Sequence, residues 1–281
     1  MDPHIPQEWV SDPDRMIPGI IQALDAFAAG TALFDSGAAD LSATSAVLLL
    51  LSPGADAAGR SSDVSLILNK RSARVRQPGD LCCPGGGVAA RFDLNLARLL
   101  RLPLGPLGRW PLWRRWRRER PVESRWLALY FATALREAFE EMRLNPLRVR
   151  FLGPLPHHRL VLFQRRIYPL AAWSPRRPRF KPNWEVERIV GIPLRHLLEA
   201  EHYICYRLTM PRSSLTAEDE RVRRVPAFRI PASGGPEILW GATYRITVAF
   251  LQMVFGFSPP AMESLPVVDG HLGSSYLTGE R

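Results

Sequence analysis

The spacing of apolar residues changes period several times along the chain, and each change marks an element. Ile17, Ile20, Ile21, Leu24 and Phe27 recur at helical spacing before Gly30, with Pro13 and Asp14 placed to start the helix. Residues 1–42 are therefore expected as an N-terminal helical extension. The apolar run at 45–51, closed by Ser52, Pro53 and Gly54, predicts a buried strand, and 64–69 predicts a second that pairs with it as a hairpin across a long connection. Over 127–144 the period is that of a helix. With Glu137 at the origin and about 100° per residue, Glu140 falls at about −60° and Glu141 at about +40°. Phe131, Ala134, Leu135, Ala138, Phe139 and Met142 take the opposite arc, which is expected to face the core. Further strands are expected at 149–152 and 160–168, a helix around 193–201, and a closing helix over 238–255. Strands interleaved with amphipathic helices predict an α/β (α+β) chain, a mixed sheet with helices packed on it. Residues 43–257 form its one domain, and 258–281, with Pro259, Pro260, Gly270 and Gly273, read as a flexible C-terminal tail.

Composition narrows the class. A chain of 281 residues can bury one sizeable core. Its 26 prolines and 20 glycines predict many turns, in keeping with a mixed fold. Cys82, Cys83 and Cys205 are odd in number and include an adjacent pair, so a disulfide framework is not expected; a reducing, cytoplasmic setting is. No apolar run approaches the ~20 residues that cross a bilayer, and the acidic start carries no leader pattern. The net charge of +10 suggests a nucleic-acid partner until it is located. Residues 94–126 hold nine arginines against Glu119 and Glu123, so +7 of the excess sits in that one segment. A specific nucleic-acid surface is not needed to explain it.

Candidate chemistry lies on the helix of the glutamates. Like charges at successive helical neighbours repel by roughly 0.2–0.5 kcal/mol per close pair, and a hard divalent cation, Mg²⁺ or Mn²⁺, would offset that repulsion through oxygen ligands. Glu137, Glu140 and Glu141 are the candidate metal ligands and catalytic carboxylates, and Arg136 is the candidate that orients them by charge-assisted pairs. Upstream, Gly85-Gly86-Gly87 after Pro84 marks a place where the backbone turns sharply or approaches a ligand closely.

The order Gly86-Gly87, Asp93 six beyond Gly87, then Arg136-Glu137-Ala138-Phe139-Glu140-Glu141 resembles the Nudix hydrolase family. Lys70-Arg71-Ser72, Pro84-Gly85-Gly86, Ala134-Leu135-Arg136-Glu137-Ala138, Leu152-Gly153-Pro154-Leu155-Pro156, Asn183-Trp184-Glu185-Val186 and Trp240-Gly241-Ala242-Thr243 are similar to its coenzyme A diphosphatase-like branch, a likeness spanning about 46–255. The resemblance implies a Nudix-type mixed sheet sandwiched between helices and a Mg²⁺- or Mn²⁺-dependent cleavage of a diphosphate linkage in a small-molecule nucleotide. For coenzyme A or an acyl-CoA the products would be phosphopantetheine and adenosine 3',5'-bisphosphate. Another dinucleotide or nucleotide sugar is the alternative substrate, and a catalytically weak binding scaffold the alternative role. Lys70, Arg71, Arg74, Gly86 and Gly87 are candidate substrate contacts, and Glu185 is a candidate base beside the three glutamates.

The chain departs from the family pattern in four places, one of them Ala90, which stands where an acid is frequent. Residues 94–135 intervene where the family has about seven, Arg143 stands where a glycine usually follows the glutamates, and Gln77-Pro78-Gly79-Asp80 occupies the loop where the branch tends to carry histidine. The insertion at 94–126 interleaves Trp110, Trp113, Trp116 and Trp126 with Arg114, Arg115, Arg117, Arg118 and Arg120. That pattern suits peripheral membrane contact or single-stranded nucleic acid, a lid over an anionic substrate, or an insertion packed by its tryptophans with the arginines in water.

Overall fold

A computed structural model describes residues 4–34, 40–55, 61–160, 165–176, 179–209, 222–231, 236–273, 276 and 278. Helix α1 (Pro13–Ala29) starts on the side chain of Asp12, which accepts from the Arg15 amide at 3.3 Å. Strands β1 (Thr44–Ala55) and β2 (Ser61–Arg71) form the expected antiparallel pair, Leu50 opposite Ile67. Short strands β3 (Leu81–Cys82) and β4 (Gly85–Gly87) follow, then helices α2 (Ala90–Leu100), α3 (Trp113–Glu119) and α4 (Pro121–Met142). Beyond them come β5 (Arg150–Pro154), β6 (His158–Leu160), β7 (Arg165–Trp173) and β8 (Val186–Pro193). The chain ends with the short helix α5 (Leu194–Leu197), strands β9 (Tyr203–Thr209), β10 (Val222–Ile230) and β11 (Glu237–Leu239), helix α6 (Gly241–Phe255) and strand β12 (Val267–His271).

The first sheet runs β3-β2-β1-β7-β5, with β4 on β1, β6 on β7 and β8 on β2; β1 and β7 are parallel and the other pairs antiparallel. Alternate residues of β1 serve opposite layers, which explains its unbroken apolar run. Val47, Leu49 and Leu51 join one cluster with α1, α6 and the second sheet, while Ala46, Leu48 and Leu50 join another with α2, α3 and α4. The second sheet, β11-β10-β9-β12, packs through Tyr203, Cys205, Phe228 and Ile230 into the first cluster. The fold is therefore mixed α/β, with a central mixed sheet covered on both faces.

Several elements differ from their expected form. Ile238 and Leu239, expected as the start of the closing helix, belong to β11 instead, and the helix opens at Gly241, whose φ is a left-handed 68°. The helix expected around 193–201 is only α5 and a 3-10 turn, Ala200–His202, before the chain turns into β9. The strand expected at 160–168 is the end of β6 and the start of β7, and 161–164 lie outside the described residues. Phe139 is 43% exposed, not part of the core face, with the Arg143 guanidinium 5.2 Å over its ring. The segment expected to fray forms β12, parallel to β9, and seats Tyr276 in a buried position. Helix α1 forms as expected for the N-terminal extension and packs on the domain, with Met16, Ile20 and Leu24 part of the first cluster. Cys82, Cys83 and Cys205 are free thiols, and no helix among the described residues is long and apolar enough to cross a membrane.

The insertion packs through its tryptophans. Trp110, Trp113 and Trp116 are buried, and Trp110 meets Phe151 edge-on at 4.9 Å. Trp126 stacks on Tyr130 at 5.8 Å, and Trp116 donates to Asp25. Arg114, Arg117 and Arg118 remain exposed. The indoles of Trp110, Trp113 and Trp116 fill the core and are not available to a bilayer interface, whereas Leu94, Leu99, Leu102 and Leu104 of the same segment are exposed.

Candidate active site

The geometry begins with the glycine strand. β4 lies antiparallel on β1, with Gly86 opposite Ala46. A Cβ on Gly85 would stand 2.4 Å from the Ala46 carbonyl oxygen, and one on Gly86 would stand 2.6 Å from the carboxyl carbon of Glu137. Gly85 also has a φ of 148°. Glycines occupy these positions because the strand is squeezed between β1 and the face of α4 that bears the acids. The long excursion from 94 to 135 thus loops out without separating the bend from the helix.

Arg136 joins the two. Its Nε donates to Asp93 Oδ1 at 2.7 Å, one Nη donates to the Gly87 carbonyl at 2.9 Å and to Glu137 Oε1 at 3.0 Å, and the other donates to both oxygens of Glu140 at 3.1 and 3.2 Å. Asp93 is fully buried and also accepts from the Ala89 amide and the Thr133 hydroxyl, each at 2.7 Å. The acid that follows the glycine run therefore anchors the arginine and offers the site no free oxygen. Lysine could not replace this fork, having no planar set of donors.

Glu141 is 7% exposed, and its Oε2 accepts from the Gly85 amide at 3.1 Å and from Asn69 Nδ2 at 2.9 Å. Burial pushes its carboxyl up to about 8, helped by Glu137 and Glu185 and opposed by the Gly85 hydrogen bond and Arg71. Burial raises Glu137 as well, against the pull of Arg136. The loop at 181–185 closes the end of α4: the Lys181 amide donates to the Met142 carbonyl and the Asn183 amide to the Glu141 carbonyl, at 3.0 and 2.8 Å. Arg143 takes the left-handed cap position, φ 59°, that a glycine would fill without strain.

The donors suit a hard divalent cation. They are oxygens, and among the described residues Asn69 Oδ1 is buried without a hydrogen-bond partner beside Glu141 and Arg136 is the one ion-pair partner of Asp93, Glu137 and Glu140. Glu137, Glu140 and Glu141 nevertheless do not close on one point, since Arg136 holds the first two and Gly85 with Asn69 holds the third. Among the described residues the set of three ligand atoms all within 4.8 Å of one another is Glu199, Glu201 and His202, ahead of β9.

The candidate substrate contacts divide. Asn69 points to α4, so its strand neighbour Lys70 projects from the opposite face, where it pairs with Glu237 at 3.1 Å and Glu187 at 3.4 Å. Lys70 is thus removed from the group beside the glutamates. Arg71 donates to the Arg76 carbonyl at 2.7 Å, and its charge acts on both Glu141 and Asp80. Arg74 is exposed. Glu185 is near enough for its charge to act on Glu141, and its carboxylate has no hydrogen-bond or ion-pair partner among the described residues. Two neighbours carried no sequence signal. Asn69 sits in an ordinary strand pattern, and Arg165, whose Nη1 would stand 3.7 Å from a Cβ on Gly87, begins a strand 78 positions later in a different part of the chain.

No family model matches the chain, and no curated protein matches it. Solved structures do align. One is a Nudix hydrolase from Alicyclobacillus acidocaldarius, at 17% identity and TM-score 0.35, over 55% of this chain and 80% of that one. Another is a C. elegans Ap4A hydrolase in a binary complex, at 14% identity and TM-score 0.32, over 53% and 80%. A third is the Nudix domain of Shewanella oneidensis NrtR complexed with ADP ribose, at 12% identity and TM-score 0.32, over 62% and 85%. Alignments at such scores carry no argument.

Proposed function

We propose that the chain is a Nudix-type diphosphatase, a Mg²⁺- or Mn²⁺-dependent hydrolase of a diphosphate linkage in a nucleoside-diphosphate derivative. The observation that carries it is the contact of Gly86 with the Glu137 carboxyl, with Arg136 tied at once to Asp93, the Gly87 carbonyl, Glu137 and Glu140. Glu137, Glu140 and Glu141 would hold the cation, which would supply a Lewis acid to the diphosphate and lower the pKa of water. Gly86 and Gly87 leave room for phosphate oxygens close to the backbone. Arg71 and Arg165 offer positive charge from two sides, and Arg74 adds to it from the exposed loop. Glu185, whose carboxylate has no hydrogen-bond or ion-pair partner among the described residues, takes the proton as the water oxygen attacks phosphorus and the anhydride oxygen leaves with its electron pair.

For the substrate we favour coenzyme A or an acyl-CoA, on the run of motifs from Lys70-Arg71-Ser72 to Trp240-Gly241-Ala242-Thr243. The pairing of Glu137 and Glu140 with Arg136, in place of a closed ligand set, favours the scaffold as the second reading. One experiment separates them. Purified protein with Mg²⁺ or Mn²⁺ is offered coenzyme A, ADP-ribose, a dinucleoside tetraphosphate and a nucleotide sugar, with products resolved by chromatography. The wild type cleaves one class, and Glu140→Gln and Glu141→Gln each lower its turnover by at least about a hundredfold, on the scale of losing a catalytic electrostatic element. Full activity in both variants, or no cleavage by the wild type, overturns the assignment.

A further inference from the structure

The chain has eight tryptophans, and seven of them are accounted for by packing or hydrogen bonds. Trp110, Trp113, Trp116 and Trp173 are buried, Trp9 and Trp126 pack on the two clusters, and Trp240 donates to Asp80 and stacks with Tyr276. Trp184 is 60% exposed, and no ring pair among the described residues includes it. It does not hang from a loose loop. The Ser72 hydroxyl donates to the Trp184 carbonyl at 2.8 Å, the Ser72 amide donates to the Glu185 carbonyl at 2.9 Å, and the Asn183 side chain accepts from the Glu185 amide at 2.9 Å. One neighbour, Asn183, is bonded to the backbone of Glu141, and the other, Glu185, acts on the Glu141 charge. Arg71 precedes the serine that clamps it.

We infer that Trp184 is a stacking platform for the base of the nucleotide, so that the site binds a diphosphate carrying a flat aromatic ring on one side. The inference rests on the diphosphatase reading for its ligand class. A large indole left in water is unfavourable for the free protein, and holding its backbone rigid lowers the ordering that binding must still supply. A ring stacked on it would meet the diphosphate end at Arg71 and the glutamates. Stacking depends on any aromatic face and on no particular base edge, so the platform selects nucleotides over inorganic diphosphates without choosing among bases.

The test compares ADP with methylenediphosphonate, which has no ring, by calorimetry with and without Mg²⁺, on wild type, Trp184→Ala and Trp184→Phe. Trp184→Ala weakens ADP by at least about fivefold, the low end of a lost base stack. It leaves methylenediphosphonate unchanged, and Trp184→Phe recovers most of the loss. Equal ADP binding in all three proteins, equal losses for both ligands, or a loss of self-association in place of ADP binding each overturn the platform. Ring-dependent ADP binding by a protein that cleaves no diphosphate would leave the platform standing while the activity falls, so the two failures are distinguishable.

Discussion

Glu141→Gln separates stability from function at a single atom position. The Glu141 carboxyl is held near 8 in the folded chain against an ordinary 4.5, chiefly by burial. The native chain therefore keeps a proton that the unfolded chain has already released, and between those two values stability falls as pH rises, by roughly 1.4 kcal/mol per pH unit. At pH 7 the burden is on the order of 3 kcal/mol, and below the ordinary value it is absent. Glutamine keeps an oxygen for the Gly85 amide and Asn69 Nδ2 and has no charge to desolvate. If half of that burden is relieved, the metal-free variant melts at least about 3 °C above wild type at pH 8, given a few degrees per kcal/mol for a chain of this size. The assay is thermal unfolding in EDTA from pH 5 to pH 8.5, repeated with Mg²⁺. The gap closes toward pH 5, where both side chains are neutral. Mg²⁺ raises the wild type but not the variant, as expected for a ligand that binds only the native ionised site. A variant less stable than wild type at pH 8 in EDTA, or a gap that ignores pH, refutes the reasoning.

Four further variants probe separate parts of the architecture. Gly86→Ala puts a methyl 2.6 Å from the Glu137 carboxyl; because that carboxyl ends a flexible side chain, calorimetry should show a loss of Mg²⁺ affinity larger than the loss of thermal stability. Arg143→Gly relieves a left-handed non-glycine cap, φ 59°, and should stabilise by about 0.5–1 kcal/mol in urea unfolding, less whatever the Phe139 stack contributes. Trp113→Ala should destabilise by about 3–5 kcal/mol through a core cavity, whereas Arg117→Glu on the exposed face should stay within about 0.5 kcal/mol of wild type and neither protein should bind anionic vesicles through its indoles.

Local patterns were readable and distant ones were not. Glu137, Glu140 and Glu141 share a helix face because helical period is a property of a few consecutive residues, and the buried β1 run declares itself the same way. The second sheet escaped notice for a physical reason. β10 carries Arg223, Arg224, Pro226 and Arg229, so it reads as a basic, proline-broken loop until β9 and β11 supply its pairing partners. β12 lies among prolines and glycines and becomes a strand only by pairing with β9. Asn69 and Arg165 reach the site through strand register, which no window of sequence records.

The insertion shows why a motif can be split and still close. Asp93 and Arg136 lie 43 positions apart, where the family pattern has about eight, and for a flexible loop the added closure entropy is only about 1.5 kcal/mol because it grows with the logarithm of length. Burying one tryptophan removes about 150–250 Å² from water, which at about 25 cal/mol per Å² contributes several kcal/mol. Trp110, Trp113 and Trp116 all do so against the layer that contains α4, so the excursion is anchored to the helix it interrupts. The same packing also fixes where α2 begins, and with it Asp93, whose buried carboxylate positions Arg136 and, through that one guanidinium, the glycine strand and two of the glutamates. On this account the aromatic residues of 94–126 support the site from behind, and their removal should act on the pairing of Arg136 before it acts on anything at the surface.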